Sequence, residues 1–405
     1  MKKLLLLGGS YSLLPIISRA HSYGWYVITM DYLPDNLAHR HSDEYVNMSV
    51  IDKNAVLSYA QSTGIDAISS FGCDAGAVTA AYVAEKMSLP YVCSYEAACV
   101  LQDKSTFREF LKRNHFNVPK AIGCKSLEEA QNCISDFCWP IIVKPVDSAG
   151  SKGVNRCDTM EELPDAVACA LENGHSGSFI VEEFLEKEGP SSGSETFAID
   201  GVAAYNGVYD QFFDPKAPNP YVPAAECWPS SHNMIIQDEV YSEVNRLFKL
   251  LHIGTGIFNI EWRVSKGKIY LMEVTPRAGG NRLAEMLTIA TDIDVVDLEV
   301  RHMLGMQLPE VHQPNYKGVY ANFVLHANKM GRFDHLEYEP IFKEKHVIEE
   351  DLWIQKGEMI DAWSGGNKSI GILFLHFDNR DEMYLHLNNV HNYIKIVQYD
   401  GKTKR

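Results

Sequence analysis

Residues 254–281 read GTGIFNIEWRVSKGKIYLMEVTPRAGGN, and no other stretch limits the fold as tightly. IFNIEWRV alternates apolar and polar residues, SKGK is a turn, and IYLMEV resumes as a second strand, which predicts a β-hairpin. Each strand carries one carboxylate, Glu261 and Glu273. Antiparallel strands joined by a tight turn can hold such groups side by side over one cleft. There they repel unless a cation sits between them. Mg²⁺ is the natural cation for oxygen ligands, and it usually brings a nucleotide triphosphate. Arg277 follows in an exit, Ala278-Gly279-Gly280, where backbone can approach a ligand closely. A surface hairpin with two solvated acids would show the same pattern.

The start of the chain reads as a βαβ opening. Residues 2–7 (KKLLLL) predict a buried strand, Gly8-Gly9-Ser10 a turn, 11–23 a helix, and 25–31 (WYVITMD) a second strand ending in Asp31. An acid about 20 residues after a glycine turn is part of the dinucleotide fingerprint. GGSYSL lacks the second and third glycines, so the turn does not specify nicotinamide binding. Residues 65–72 and 89–95 continue the sheet, giving a doubly wound parallel α/β domain over 1–98. MKKLLLLGGS imitates a leader peptide, but its apolar run of four leucines is too short for one. No later run approaches a membrane-spanning helix. Nine cysteines without a CxxC motif fit reduced thiols in a cytoplasmic protein, and fifteen scattered histidines without HExxH read as structural or solvated. A net charge of -16 argues against nucleic acid as a partner.

The middle of the chain holds the other chemical signals. Asp103-Lys104 opens a helix, and Ser126 with Glu129 forms a capping box at the next. WPIIVKPVD (139–147) is a strand with Lys144 at its end, followed by the loop DSAGSKGV (147–154). Loop amides together with Lys144 and Lys152 suit phosphate oxygens, although GxxxxGK[ST] is absent. A helix (160–173) and the strand SFIVEEFLE (178–186) come next. Residues 188–193 read as a polar insertion before the strands resume at SETFAID. The proline-rich stretch 212–231 reads as a functional or mobile loop. An amphipathic helix then leads into the hairpin, and 291–305 is a closing helix. From 312 the pattern becomes that of an antiparallel α+β tail, with strands at GVYANFVLHA, HVIEEDLWI, IGILFLHF and IKIVQYD and a helix near 380–391. No catalytic constellation occurs there. Taken singly, Lys144 is also what a solvated strand end shows, Lys104 a helix-start charge, Glu182 and Glu183 exposed strand acids, and Met272 plain core.

In chain order, a lysine before a helix, a strand-lysine-glycine loop, VEEFL and a paired-acid hairpin ending EVTPR resemble the ATP-grasp superfamily over about residues 1–305. VKPVDSAGSKGV looks most like carboxylate–amine ligases of the L-amino-acid ligase and phosphoribosylglycinamide synthetase type, and the carbamoyl phosphate synthase large chain carries similar domains. The resemblance implies an ATP-grasp domain over 99–308, two α+β subdomains clamping ATP with a lid over 114–180, and a C-terminal α+β domain over 309–405. It implies ATP and Mg²⁺ or Mn²⁺. Lys104 and Lys144 match the phosphate lysines, and loop 148–153 (Ser148, Gly150, Ser151, Lys152, Gly153) matches the flap over the triphosphate. Glu182 matches the adenine-edge residue, with backbone of Glu183 and Leu185 beside it. Glu195 matches the ribose acid, and Met272 the apolar residue against the base. Glu261 and Glu273 match the metal ligands, and Arg277 the arginine that steadies an acyl phosphate.

The family pattern usually reads E-x-N-x-R, whereas Glu273-Val274-Thr275-Pro276-Arg277 places Thr275 at the third ligand position. AGGNRL lacks the continuation that biotin carboxylase carries. The implied activity is that of an ADP-forming ligase joining a small-molecule carboxylate to an amine through an acyl phosphate. A bicarbonate-using carboxylase or carbamoyl phosphate synthase-like enzyme is one alternative, and a non-catalytic ATP-binding protein another. The implied protein is cytoplasmic, without membrane or nucleic acid, with a homodimer as candidate assembly.

Overall fold

Leu4–Leu7 have almost no exposure, because they lie on a strand, Lys3–Leu7, covered on both faces. The computed structural model describes residues 1–148 and 150–399, and these fall into two compact units, each built from several chain segments. The fold is α/β and α+β, as the sequence predicts.

The first unit comprises Met1–Asn117, Ser192–Val208 and His232–Asn315. Its parallel sheet has the order Glu44–Asn47, Tyr26–Asp31, Lys3–Leu7, Ala67–Ser69. Leu5, Leu7, Ile28, Met30, Val56, Ile68 and Val83 form the core between this sheet and its helices. The strand expected at 89–95 does not form. Ser94 instead caps the helix Tyr95–Gln102, its hydroxyl accepting the Ala97 N–H at 3.1 Å. The fourth strand is Glu44–Asn47, too short and polar for its alternation to show. Asp103 caps the helix Lys104–Arg113 through the Thr106 N–H at 2.7 Å.

The hairpin forms as expected, with strands Gly256–Ser265 and Lys268–Thr275. Lys266 and Gly267 between them both have positive φ, 50° and 65°, the signs of the tight turn that matches strand twist. Strand Ser191–Ile199 pairs with the other edge of Gly256–Ser265. The polar insertion expected at 188–193 is therefore partly strand. Ser192, Ser194 and Thr196 are buried, and Ser194 and Thr196 bond each other at 2.9 Å. Small hydroxyl residues on a buried strand give the composition of a polar loop.

The second unit comprises Val118–Ser191, Tyr209–Ser231 and the chain from Tyr316 onward. One antiparallel sheet has the order Ala121–Cys124, Phe179–Glu183, Ile141–Pro145, Asn155–Cys157. Helices Leu127–Cys133 and Leu163–Asn173 contribute Ala130, Leu163, Val167 and Ala170 to the core beneath it. Ser126 caps the first of these as predicted. Glu129 reaches back to the Lys125 N–H at 2.6 Å rather than to that of Ser126.

A second ladder in this unit runs from Asp210–Phe213 through Pro223–Trp228, Val319–Leu325 and Gly371–Phe377 to Val347–Leu352. Part of the stretch read as a loop over 212–231 is thus strand, at 212–213 and 223–228, and the irregular parts are 214–222 and 229–231. A further small sheet pairs Gly331–Tyr338 with Met359–Ile360 and Ile394–Tyr399. Among the described residues, no helix is long and apolar enough to cross a membrane.

Candidate functional site

In the first unit the hairpin register places Glu261 directly opposite Glu273. Directly paired residues share a face, so two like charges stand side by side, an arrangement that costs stability on its own. Both side chains are half-buried. The Lys104 Nζ lies 3.7 Å from Glu273 Oε2 and is itself nearly buried. Lys104 is the first residue of its helix, where the helix dipole disfavours a cation. Its position there is explained by the acids it faces, not by the helix.

The register shifts between Glu261 and Trp262: Trp262 pairs with Leu271, and Met272 has no partner in the ladder. This one-residue bulge breaks the alternation that would set Met272 and Glu273 on opposite faces. Thr275 pairs with Asn259. Its hydroxyl donates to the Asn259 carbonyl at 3.2 Å, which spends its single proton and leaves oxygen lone pairs. Two carboxylates and a hydroxyl oxygen on one face, with one partial counter-charge, fit a hard divalent cation. Among the described residues no group of three or more His, Cys, Asp or Glu stands ready to hold a metal, so a cation here would complete its shell with other oxygens.

Arg277 is fixed by two anchors. Its Nε donates to Asp74 Oδ1 at 2.8 Å, one terminal nitrogen donates to the same oxygen, and the other donates to the Ala278 carbonyl at 2.7 Å. A guanidinium has five N–H groups, and these bonds use three. Asp74 opens the helix Asp74–Met87, where an acid is favoured. Sequence reasoning missed Asp74; its only mark was an acid just after the Phe71-Gly72-Cys73 turn.

Glu195, which the resemblance assigns to the ribose, lies inside the protein. It has no exposure at all. Both its oxygens accept the Gly279 N–H, at 3.0 and 2.9 Å, and Oε1 also accepts from Asn259 Nδ2 at 2.6 Å. Burial pushes its carboxyl up to about 7, against the opposing pull of those donors and Arg277. The close backbone approach expected at the glycine exit is made to this carboxylate: a Cβ on Gly279 would lie 2.5 Å from Glu195 Oε1. Asn259 was also missed; its signal was that it stands two residues before Glu261, on the same strand face.

The second unit holds the remaining candidates. Lys144 lies within strand Ile141–Pro145, and its Nζ is 2.5 Å from Glu182 Oε2 on the neighbouring strand, with side-chain exposures of 11% and 2%. Lys144 is therefore a buried ion-pair partner, not a solvated strand end. Glu183 donates its N–H to the Lys120 carbonyl at 2.8 Å, and Leu185 is buried.

The loop after Lys144 turns through left-handed backbone at Gly150, Ser151 and Gly153. Ala149 lies outside the described residues. Gly153 has no room for a side chain, since a Cβ would lie 2.8 Å from Asn173 Cβ and 2.9 Å from Pro145 Cγ. Ser148 is nearly buried, and Lys152 is half-buried beside Gly365. Asp147 accepts the His175 and Ser176 N–H groups at 3.1 and 2.8 Å and closes the loop base. The Ser151 hydroxyl donates to the Tyr221 carbonyl at 3.1 Å, and Asn219 donates to the Ser364 carbonyl at 3.0 Å.

Residues 109–281 match the ATP-grasp domain family. The carbamoyl phosphate synthase large chain of Thermoanaerobacter sp. (strain X514) is 28% identical over 228 residues, which cover 54% of this chain and 20% of that one. The chain thus spans about a fifth of the length of such relatives. A formate-dependent phosphoribosylglycinamide formyltransferase of Shewanella frigidimarina is 25% identical over 308 residues, covering 73% of this chain and 74% of that protein. The crystal structure of an L-amino acid ligase from Bacillus licheniformis shares the fold, with a TM-score of 0.79 at 18% identity over 99% of each chain.

Proposed function

We propose that this chain, which carries an ATP-grasp domain, is an ADP-forming carbon–nitrogen ligase that joins a small-molecule carboxylate to an amine. The observation that carries the reading is the direct pairing of Glu261 with Glu273 beside Lys104, in the same unit as an anchored Arg277. A carboxylate is a poor electrophile. Transfer of the γ-phosphoryl of ATP to its oxygen makes an acyl phosphate and releases ADP. The amine then attacks the acyl carbon, phosphate leaves, and an amide results.

Each residue has a task in that sequence. Lys104 and Lys144 neutralise phosphate oxygens as negative charge spreads over the transferring group. A divalent cation held by Glu261 and Glu273, with the Thr275 oxygen as third ligand, would bind the triphosphate and offset its charge. Ser148, Gly150, Ser151, Lys152 and Gly153 cover the phosphates and keep water from the acyl phosphate. Met272 packs against the base, and Glu182 with the backbone of Glu183 and Leu185 reads its edge. Arg277 holds the reacting carboxylate through the N–H groups that Asp74 and Ala278 leave over.

Glu195, being buried, takes no part in ribose binding in this reading. Lys144 and Glu182 act as a pair: ATP draws the lysine toward phosphate and leaves the acid for the purine. The protein is placed in the cytoplasm, with small molecules as its partners.

The test is an ADP-release screen of the full chain with MgATP over amino acids, other small carboxylates and amines. Release that needs both a carboxylate and an amine, with an amide as product, is expected. Release driven by bicarbonate with no amine would move the assignment to a carboxylating enzyme. ATP binding with no release over the whole panel would leave a nucleotide-binding protein.

A further inference from the structure

We infer that Glu195 is a positioning residue for this reaction: its buried carboxylate fixes the Arg277–Gly279 turn and so sets where the Arg277 guanidinium stands. The inference rests on the ligase reading above for its activity arm only. Its geometry lies within one unit of the fold. Glu195 and Asn259 are cross-strand partners, and Asn259 is in turn the partner of Thr275, so one row of the sheet runs Glu195, Asn259, Thr275. The next row holds Glu261 opposite Glu273.

Glu195 gathers donors from both sides of this arrangement. Asn259 Nδ2 comes from the sheet at 2.6 Å, and the Gly279 N–H comes from the turn that follows the hairpin, at 2.9 and 3.0 Å. Arg277 is two residues before Gly279, and its guanidinium donates to the carbonyl of Ala278 between them. Asp74 grips the head of the arginine, and Glu195 grips the turn that carries it. Gly279 accommodates only this arrangement, because a Cβ would also lie 2.6 Å from Leu283 Cδ1 and 2.8 Å from Asn259 Nδ2.

A carboxylate with no solvent contact is an expensive way to satisfy one backbone N–H, and a neutral acceptor of the same shape would do that at lower cost. Two donors from different elements, the Asn259 amide and the Gly279 N–H, meet at this one group, so it ties the turn to the sheet. Glu195→Gln tests this, since it keeps the shape but turns one acceptor into a donor facing N–H groups. With the carboxylate–amine pair found in the ADP-release screen, kcat is expected to fall about 10- to 100-fold while KM for ATP stays within about 2-fold, because the turn is displaced and the nucleotide groups are not. A fall in kcat and a rise in KM that track loss of folded protein would overturn the inference, as would an unchanged kcat.

Amide hydrogen exchange of the nucleotide-free full chain gives a readout that needs no turnover. Exchange in the peptide covering 276–283 is expected to be at least about 10-fold faster in Glu195→Gln, and equal rates would overturn the inference. If the wild type releases no ADP with any pair, the ligase reading fails while this exchange result still decides the hold of Glu195 on the turn. If Glu195→Gln does not fold, the wild-type Gly279 amide decides: protection of about 100-fold or more is expected, and free exchange would overturn the inference.

Discussion

Replacing Lys144 by methionine should damage the fold and the proposed nucleotide site at once, and the two effects can be separated. Lys144 Nζ is 2.5 Å from Glu182 Oε2, with neither side chain much exposed. Removing one partner of such a pair leaves the opposite charge uncompensated in a poorly hydrated place and costs about 3–5 kcal/mol. Replacing both by apolar residues of similar volume is usually neutral or stabilising by about 1–4 kcal/mol. Lys144→Met should therefore lose about 3 kcal/mol or more of stability, and Lys144→Met with Glu182→Met should recover most of it.

ATP affinity should not recover in the double variant, since the lysine proposed for phosphate and the acid proposed for the purine edge are both gone. Urea unfolding of the full chain gives the first quantity, with hydrogen exchange over 141–145 and 179–183 locating the change. Titration calorimetry with MgATP gives the second. A stable Lys144→Met would mean that the pair is not held in a dry environment. A double variant that binds ATP like the wild type would remove Lys144 and Glu182 from the nucleotide site altogether. An activity assay on Lys144→Ala alone would confuse these outcomes, because an inactive protein and an unfolded one look alike.

Other substitutions probe separate parts of the first unit. Thr275→Val keeps the shape but deletes the hydroxyl oxygen; the Mg²⁺ concentration needed for half-maximal ADP release should rise about 10-fold, and an unchanged requirement would leave the metal to Glu261 and Glu273 with no third protein ligand. Asp74→Asn should lower kcat about 10-fold with little change in KM for ATP, as a weaker acceptor loosens Arg277, and equal losses in both would assign Asp74 to nucleotide binding instead. Glu299 is buried, its carboxyl pushed up to about 7 by desolvation against one opposing bond from the Ile257 N–H. The folded state thus keeps a proton that the unfolded chain loses near pH 4.5, so this group takes stability away as pH rises from about 4.5 to about 7. Glu299→Gln should match the wild type in unfolding free energy below pH 4.5 and exceed it by up to about 3 kcal/mol above pH 7, less the cost of a weaker bond to Ile257; a constant difference across that range would refute the assignment.

Much of the hairpin was legible because its signals are local. The Lys266-Gly267 turn, the alternation on either side and the two acids all lie within about twenty residues, and a tight turn fixes which residues face each other. The caps at Ser126 and Asp103 were legible for the same reason. What stayed hidden depends on partners far along the chain. Glu195 looks like any strand glutamate until Gly279, 84 residues on, is seen to donate to it. Strand Gly331–Tyr338 was not among the strands read, because it carries few apolar residues among several charged ones. The stretch 188–193 was misread because Ser191 and Ser192 are polar residues that nonetheless lie buried on a strand. The division into two units was mostly hidden, since each is assembled from three separate segments, and only the joint at 315–316 lies beside a change of pattern read in the sequence.

The unpaired Met272 has a consequence for how reliably the hairpin assembles. A hairpin can close with its strands offset by one residue, and each such slip turns every side chain to the opposite face. Here an offset would carry Glu261 or Glu273 toward the side where Trp262, Leu271 and Val274 are buried. A charge entering that layer would raise the energy of the misaligned form. The acids that repel each other in the finished protein therefore also proofread its assembly, so that neutralising both should leave a hairpin more tolerant of misalignment.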